Sequence, residues 1–150
     1  MYNRENVKSK IDSKEKHNSV SLFGNNILPL YHKSNNMGIN KLKVVLTEEA
    51  QAFLNAQPFK AQQKIYYNIF KVEEGVMKVD IFKKLENTEI WEFRTLYNGI
   101  CYRLFSFWDT EEETLVIATH GIVKKTQKTP LKEIAKAEEI RKEYFNNKTK

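Results

Sequence analysis

Ile90-Trp91-Glu92-Phe93-Arg94-Thr95-Leu96-Tyr97-Asn98-Gly99-Ile100-Cys101-Tyr102-Arg103-Leu104-Phe105-Ser106-Phe107-Trp108 is the stretch whose reading decides the fold. Two runs rich in aromatic and β-branched residues flank Asn98-Gly99, a dipeptide suited to a type I′ turn because both central positions need positive φ. A two-residue turn sets the register: Tyr97 faces Ile100, Leu96 faces Cys101, Thr95 faces Tyr102, Arg94 faces Arg103, Phe93 faces Leu104 and Glu92 faces Phe105. Trp91, Phe93, Thr95, Tyr97, Ile100, Tyr102 and Leu104 then share one face, the expected seat of helices, while Glu92, Arg94, Cys101 and Arg103 share the other. Two arginines are directly opposed, which is unfavourable in a sheet. Either Glu92, diagonal to Arg103, bridges them, or the pair forms an anion site.

Upstream of the hairpin, residues 42–46 read as a first strand. Thr47 then caps a short helix whose first turn holds Glu48 and Glu49, where the helix dipole favours acids. Pro58 opens a second helix with an apolar stripe of Ala61, Ile65 and Ile69 beside Phe70, and Glu73-Glu74-Gly75 ends it. Phe82-Lys83-Lys84-Leu85 reads as a connection. Downstream, a loop over residues 109–113 leads into a strand over residues 114–123. With a four-residue loop, Trp108 faces Glu113, Cys101 faces His120 and Arg103 faces Ala118, which places His120 on the arginine face; a one-residue slip sends it to the helix-packed face.

That strand runs into Lys124, Lys125 and Lys128, and then into Thr129-Pro130, read as an N-cap followed by proline at the first helical position. Lysines bunched where a strand leaves a sheet suit an anionic partner or a solvated edge loop. The last helix spans residues 130–145, with Leu131, Ile134, Ala137, Ile140, Arg141 and Tyr144 along one side. So narrow a stripe suits a helix lying along a sheet edge, from which Arg141 could reach back to the lysine loop. The predicted fold is α+β: an N-terminal strand and helical hairpin packed on an antiparallel sheet of about four strands, with a C-terminal helix.

The chain has 150 residues, 41% of them hydrophobic and 12% aromatic, enough for one domain with a real core. A net charge of +6 fits an anionic partner. The single cysteine, Cys101, rules out an internal disulfide and a four-cysteine metal site. No apolar run approaches the roughly 18 residues of a membrane span and no secretory signal is present, so a cytoplasmic location is expected. Residues 1–40 are polar apart from Val20-Ser21-Leu22-Phe23 and Ile27-Leu28-Pro29-Leu30-Tyr31, and read as a disordered arm ahead of a domain over residues 41–146 and a fraying tail over residues 147–150. Met37-Gly38 stands just before the first strand, so the arm is a genuine extension or the true start is Met37.

Lys83-Lys84-Leu85, Ile90-Trp91-Glu92-Phe93-Arg94, Tyr102-Arg103-Leu104-Phe105 and His120-Gly121-Ile122-Val123-Lys124-Lys125-Thr126-Gln127-Lys128-Thr129-Pro130, followed by Ile134 and Ala137, together resemble the phage-derived HigB branch of the RelE/ParE toxin superfamily. The resemblance covers roughly residues 41 to 146. It implies a toxin of a type II toxin–antitoxin pair, an mRNA endoribonuclease that acts on the ribosome without a metal or other cofactor and is partnered by a helix-turn-helix antitoxin. Carried onto this chain, it makes Arg94, Arg103, Lys124 and Lys125 the phosphate-handling and transition-state residues. His120 becomes a candidate proton-transfer group, and Lys83, Lys84, Lys128 and Arg141 fall on the RNA path. The alternative on the same scaffold is a non-catalytic binder, either a ParE-like gyrase inhibitor or an inactive prophage protein.

The chemistry is consistent with these residue types. Attack of a ribose 2′-hydroxyl on its own phosphodiester needs in-line geometry, charge stabilisation, a base and an acid, none of which requires a metal. No HExxH, no HxE with paired cysteines and no aspartate cluster at ligand spacing occurs. For the arm, deletion of residues 1–36 is expected to leave the cooperative melt in place, because so polar a stretch cannot offset its ordering entropy. A melting temperature lowered by more than a few degrees would show that the arm packs.

Overall fold

The computed structural model describes residues 42–112 and 115–149. The arm expected over residues 1–40 lies outside them. The elements are β1 (Lys43–Leu46), α1 (Glu48–Asn55), α2 (Phe59–Glu73), β2 (Phe82–Lys84), β3 (Trp91–Tyr97), β4 (Ile100–Trp108), β5 (Leu115–Lys124) and α3 (Leu131–Lys148). They form one five-stranded sheet in the order β1-β5-β4-β3-β2. β2 to β5 are antiparallel neighbours, and β1 joins β5 in parallel at the far edge from β2.

The β3–β4 hairpin has the register that its turn dictates, from Tyr97 opposite Ile100 to Trp91 opposite Ser106. Asn98 and Gly99 both take positive φ, 50° and 76°. The segment Phe82-Lys83-Lys84, read as part of a connection, is instead an edge strand with Phe82 opposite Phe93 and Lys83 opposite Glu92. Three residues are too short a run to show alternation, and aromatic packing of Phe82 on Trp91 and Phe93, centroids 4.8 and 4.5 Å away, holds it in place.

One face of the sheet is covered by α1 and α2. Thr47 caps α1 as expected, its hydroxyl accepting from Ala50 N at 3.1 Å. Ala61, Ile65, Ile69 and Phe70 of α2 are buried against Phe82, Phe93, Tyr102 and Leu104. Asn68 Nδ2 donates to Thr95 Oγ1 at 2.9 Å and to Arg94 O at 3.2 Å, tying the helix to the middle of β3. Gly121 of β5 lies under α1, where an added Cβ would fall 2.1 Å from a ring carbon of Phe53. Glu73, buried at the end of α2, takes Leu42 N on its carbonyl and Val44 N on its carboxylate.

The opposite face is divided. α3 lies across it rather than along an edge, packing Ala137, Ile140, Tyr144 and Phe145 on Ile90, Phe105, Phe107 and Ile117. Leu131, counted in its apolar stripe, is 78% exposed. The helix also runs on to Lys148 instead of fraying from residue 147, because its last turn has a partner. Asp109, buried just after β4, accepts from Tyr144 Oη and Lys148 Nζ, each at 2.6 Å, and from the amides of Glu111 and Glu112.

The register between β4 and β5 differs from the one expected. Trp108 faces Val116, so the connection is longer than four residues, and a β-bulge follows between Phe105 and Ser106. Without the bulge His120 would face Leu104 on the helix-packed side; the extra residue, Thr119, restores the parity and sets His120 opposite Phe105 on the arginine face. Thr119 Oγ1 donates to Phe105 O at 3.2 Å and its carbonyl accepts the hydroxyl of Thr47, so the irregular backbone stays satisfied.

Asp109 supplies a pH-dependent contribution. Its hydrogen bonds from Lys148, Tyr144 and the two amides outweigh burial and hold its carboxyl at about 2, below the ordinary 3.8. A carboxylate whose folded value lies below its unfolded value stabilises the fold above the unfolded value and loses that contribution as pH falls through the folded one. The Asp109→Asn variant should therefore melt lower than the parent at pH 7, by about 1 to 3 kcal/mol, with the gap closing from about pH 4 towards pH 2. A gap that does not change with acidity would overturn the assignment.

Candidate functional site

The part of the arginine face beyond the N-terminus of α3 holds most of the charge. Strand pairing arranges it in rows. Lys83, Glu92, Phe105 and His120 form the first, Arg94, Arg103 and Ile122 the second, and Leu96, Cys101 and Lys124 the third. The opposed arginines are bridged: Glu92 Oε1 lies 3.3 Å from Arg94 Nε and 3.4 Å from Arg103 Nε. Of the two readings that the register left open, the carboxylate bridge is present, and it coexists with an excess of positive charge.

Glu92 is 2% exposed and Arg103 7%, whereas the side chain of Arg94 is 29% exposed. Arg94 Nη1 also donates to Val79 O, and Arg103 Nη1 to Tyr102 O, each at 3.1 Å. The second oxygen of Glu92 accepts from Thr129 Oγ1 at 3.3 Å. Thr129 thus does not cap the last helix; Pro130 occupies the N-cap position, with no side-chain cap bond. The contact folds the lysine loop back from the end of β5 towards β3.

Lys124 is half-buried beside this group. Its ammonium is pushed below the ordinary lysine value of 10.5, first by burial and then by Arg103 and Arg94, with Glu92 opposing. Lys125 and Lys128 are exposed on the loop, and Lys83 is exposed on the edge strand in the row of Glu92.

Three of the candidate residues lie apart from this group. His120 is on the predicted face but 2% exposed, with Nε2 2.9 Å from Glu133 Oε2, Nδ1 3.0 Å from Thr119 Oγ1 and its ring against Phe105. Burial pushes its value below the ordinary 6.5 in spite of Glu133, and its position under α3 makes it a strut between β5 and that helix rather than a group facing a substrate. Lys84 pairs with Glu89 at 3.3 Å. Arg141 does not reach the loop. It faces Glu138 and the ring of Phe145, about 15 Å along the helix from Leu131.

Sequence reasoning missed Thr129 and Glu133. A threonine preceding a proline signals a cap, and only the fold shows a distant carboxylate competing for its hydroxyl. Among the described residues, no group of three or more His, Cys, Asp or Glu side chains is placed to hold a metal ion. No helix among them is long and apolar enough to cross a membrane.

A family model described as phage-derived protein Gp49-like matches residues 52–142, more than half of the chain. The chain belongs to the phage-derived Gp49-like family. The matched span holds every residue of the charged face and bears out the phage-derived RelE/ParE branch that the motifs resemble. Among curated proteins none matches significantly. Among solved structures, the toxin–antitoxin complex RelBE2 from Mycobacterium tuberculosis aligns over 57% of this Gp49-like chain and 100% of that one, at 19% identity and a TM-score of 0.43. A score that low carries no weight for function.

The bridge makes the two arginines unequal. Arg103→Gln leaves a buried carboxylate short of a cation and should destabilise the protein by about 3 kcal/mol. Arg94→Gln, at a partly exposed site, should cost no more than about 1 kcal/mol. Equal melting temperatures for the two variants would show that Glu92 is not held between them.

Proposed function

We propose that this Gp49-like protein is the toxin of a type II toxin–antitoxin pair and acts in the cytoplasm as a ribosome-dependent, metal-independent mRNA endoribonuclease. A helix-turn-helix antitoxin is its proposed partner. The observation that carries the reading is the cationic face, where the partly exposed Arg94 and the half-buried Lys124 stand beside the buried pair of Arg103 and Glu92 and a loop bearing Lys125 and Lys128. A gyrase inhibitor, which works by contact with a protein, has no use for such a face.

In the proposed reaction the 2′-oxygen of one nucleotide bonds to the adjacent phosphorus as the bond from phosphorus to the 5′-oxygen breaks. The products are a 2′,3′-cyclic phosphate and a 5′-hydroxyl. One proton leaves the 2′-hydroxyl and one is delivered to the 5′-oxygen. Arg94 and Arg103 stabilise the doubly charged phosphorane, where fixed cations contribute most. Lys124, whose value is lowered by its surroundings, yields a neutral amine more readily than a free lysine does and serves the proton transfer. Lys125, Lys128 and Lys83 meet the RNA backbone, so binding should weaken steeply with salt.

Expression of the protein alone is expected to arrest bacterial growth and deplete messenger RNA while supercoiling is unchanged; continued translation with relaxed DNA would move the case to gyrase inhibition. Purified protein should cleave mRNA on ribosomes with a rate that rises with pH to a limb below 10.5, the ordinary value from which Lys124 is lowered. Lys124→Arg keeps the charge but does not release its proton, and should lower kcat by about 10²- to 10⁴-fold. A fully active Lys124→Arg variant would remove Lys124 from the proton transfer.

A further inference from the structure

Two local rules of sequence and structure are broken on this chain, and both breaks meet at one carboxylate. Arg94 and Arg103 stand opposite each other in the ladder, and Thr129, at the start of a helix, turns its hydroxyl away from the helix amides to Glu92 Oε2. Local choices that conflict with the fold concentrate at functional sites. The contact is close without being aligned. Both Nε atoms are buried within 3.4 Å of Glu92 Oε1, yet neither has an aligned hydrogen-bond acceptor. Burying two donors without acceptors costs about 1 to 3 kcal/mol each.

We propose that Glu92 and Thr129 are positioning residues for phosphodiester cleavage: the carboxylate fixes both guanidiniums before substrate arrives, and the hydroxyl locks the lysine loop to the same carboxylate. This rests on the nuclease reading above. Each guanidinium is held at two points, by Glu92 near Nε and by a main-chain carbonyl at Nη1. Two anchors limit how far each group must reorganise when a phosphate arrives. Through Thr129 the same carboxylate also sets where Lys125 and Lys128 stand relative to the arginines. The structure thereby explains a negative charge at the centre of a surface meant for a polyanion: it weakens ground-state attraction and sharpens geometry.

The two roles separate kinetically. Removing a positioning charge should leave RNA binding intact, or tighten it, while slowing the chemical step. Glu92→Gln, Thr129→Val and Thr129→Ser are to be compared with the parent in ribosome-dependent cleavage, alongside binding of ribosome-bound mRNA made uncleavable by a 2′-deoxy substitution. Glu92→Gln is expected to lower kcat by about 100-fold, with affinity for the uncleavable mRNA unchanged or higher. Thr129→Val should lose about 10-fold in kcat, and Thr129→Ser should recover it. A Glu92→Gln protein that is folded and cleaves at the parental rate overturns the proposal. If Glu92→Gln does not fold, Thr129→Val decides: loss of binding in step with kcat, or no rescue by serine, would leave Glu92 a structural group only. A parent protein that cleaves nothing overturns the nuclease reading together with this one, whereas an active parent with indifferent variants overturns this one alone.

Discussion

The buried carboxylate of Glu92 is the interaction on which the rest of the molecule depends. Two guanidiniums facing each other across a ladder repel, and Arg103, almost wholly buried, has little water to screen it. One shared oxygen lets the central hairpin carry both charges inside the sheet. The central hairpin in turn positions everything else: β2 and β5 pair with its two sides, α1 and α2 cover its apolar face, and the loop before α3 is fastened to its only central acid.

The placement of α3 divides the second face by chemistry. Phe105, Phe107 and Ile117 lie at one end and are covered by the helix, while the arginine and Lys124 rows lie at the other, outside its apolar contacts. Asp109 fastens the far end of the helix through Tyr144 and Lys148, and His120 fastens the near end through Glu133. The helix thus acts as a fixed rim. Its low amphipathicity is a consequence, since only a few of its residues touch the sheet and most of its surface faces water.

What could be read from the residues alone was whatever short-range geometry dictates. Asn98-Gly99 leaves one register open, so the opposition of Arg94 and Arg103 and the diagonal place of Glu92 were legible in full. So were the α2 stripe and the Thr47 cap. The β4–β5 pairing was not, because neither the length of the connection after Trp108 nor the extra residue at Thr119 leaves a local mark. His120 reached the arginine face through two departures from the assumed register that compensate. The choice between bridge and anion site was also beyond the sequence, since it turns on distances between side chains far apart in the chain. The same limit explains the Thr129 cap, which lost to a carboxylate 37 residues away, and the tail, where Lys148 found Asp109.

Glu73 carries a consequence of another kind. A strand at the margin of a sheet presents a row of main-chain donors, the usual template for chains to add to one another. On β1 the donors of Leu42 and Val44 are taken by the carbonyl and carboxylate of Glu73. At the opposite margin β2 is only three residues long and carries Lys83 and Lys84, whose charges repel a second copy. Both margins of the sheet are therefore poor templates for strand addition.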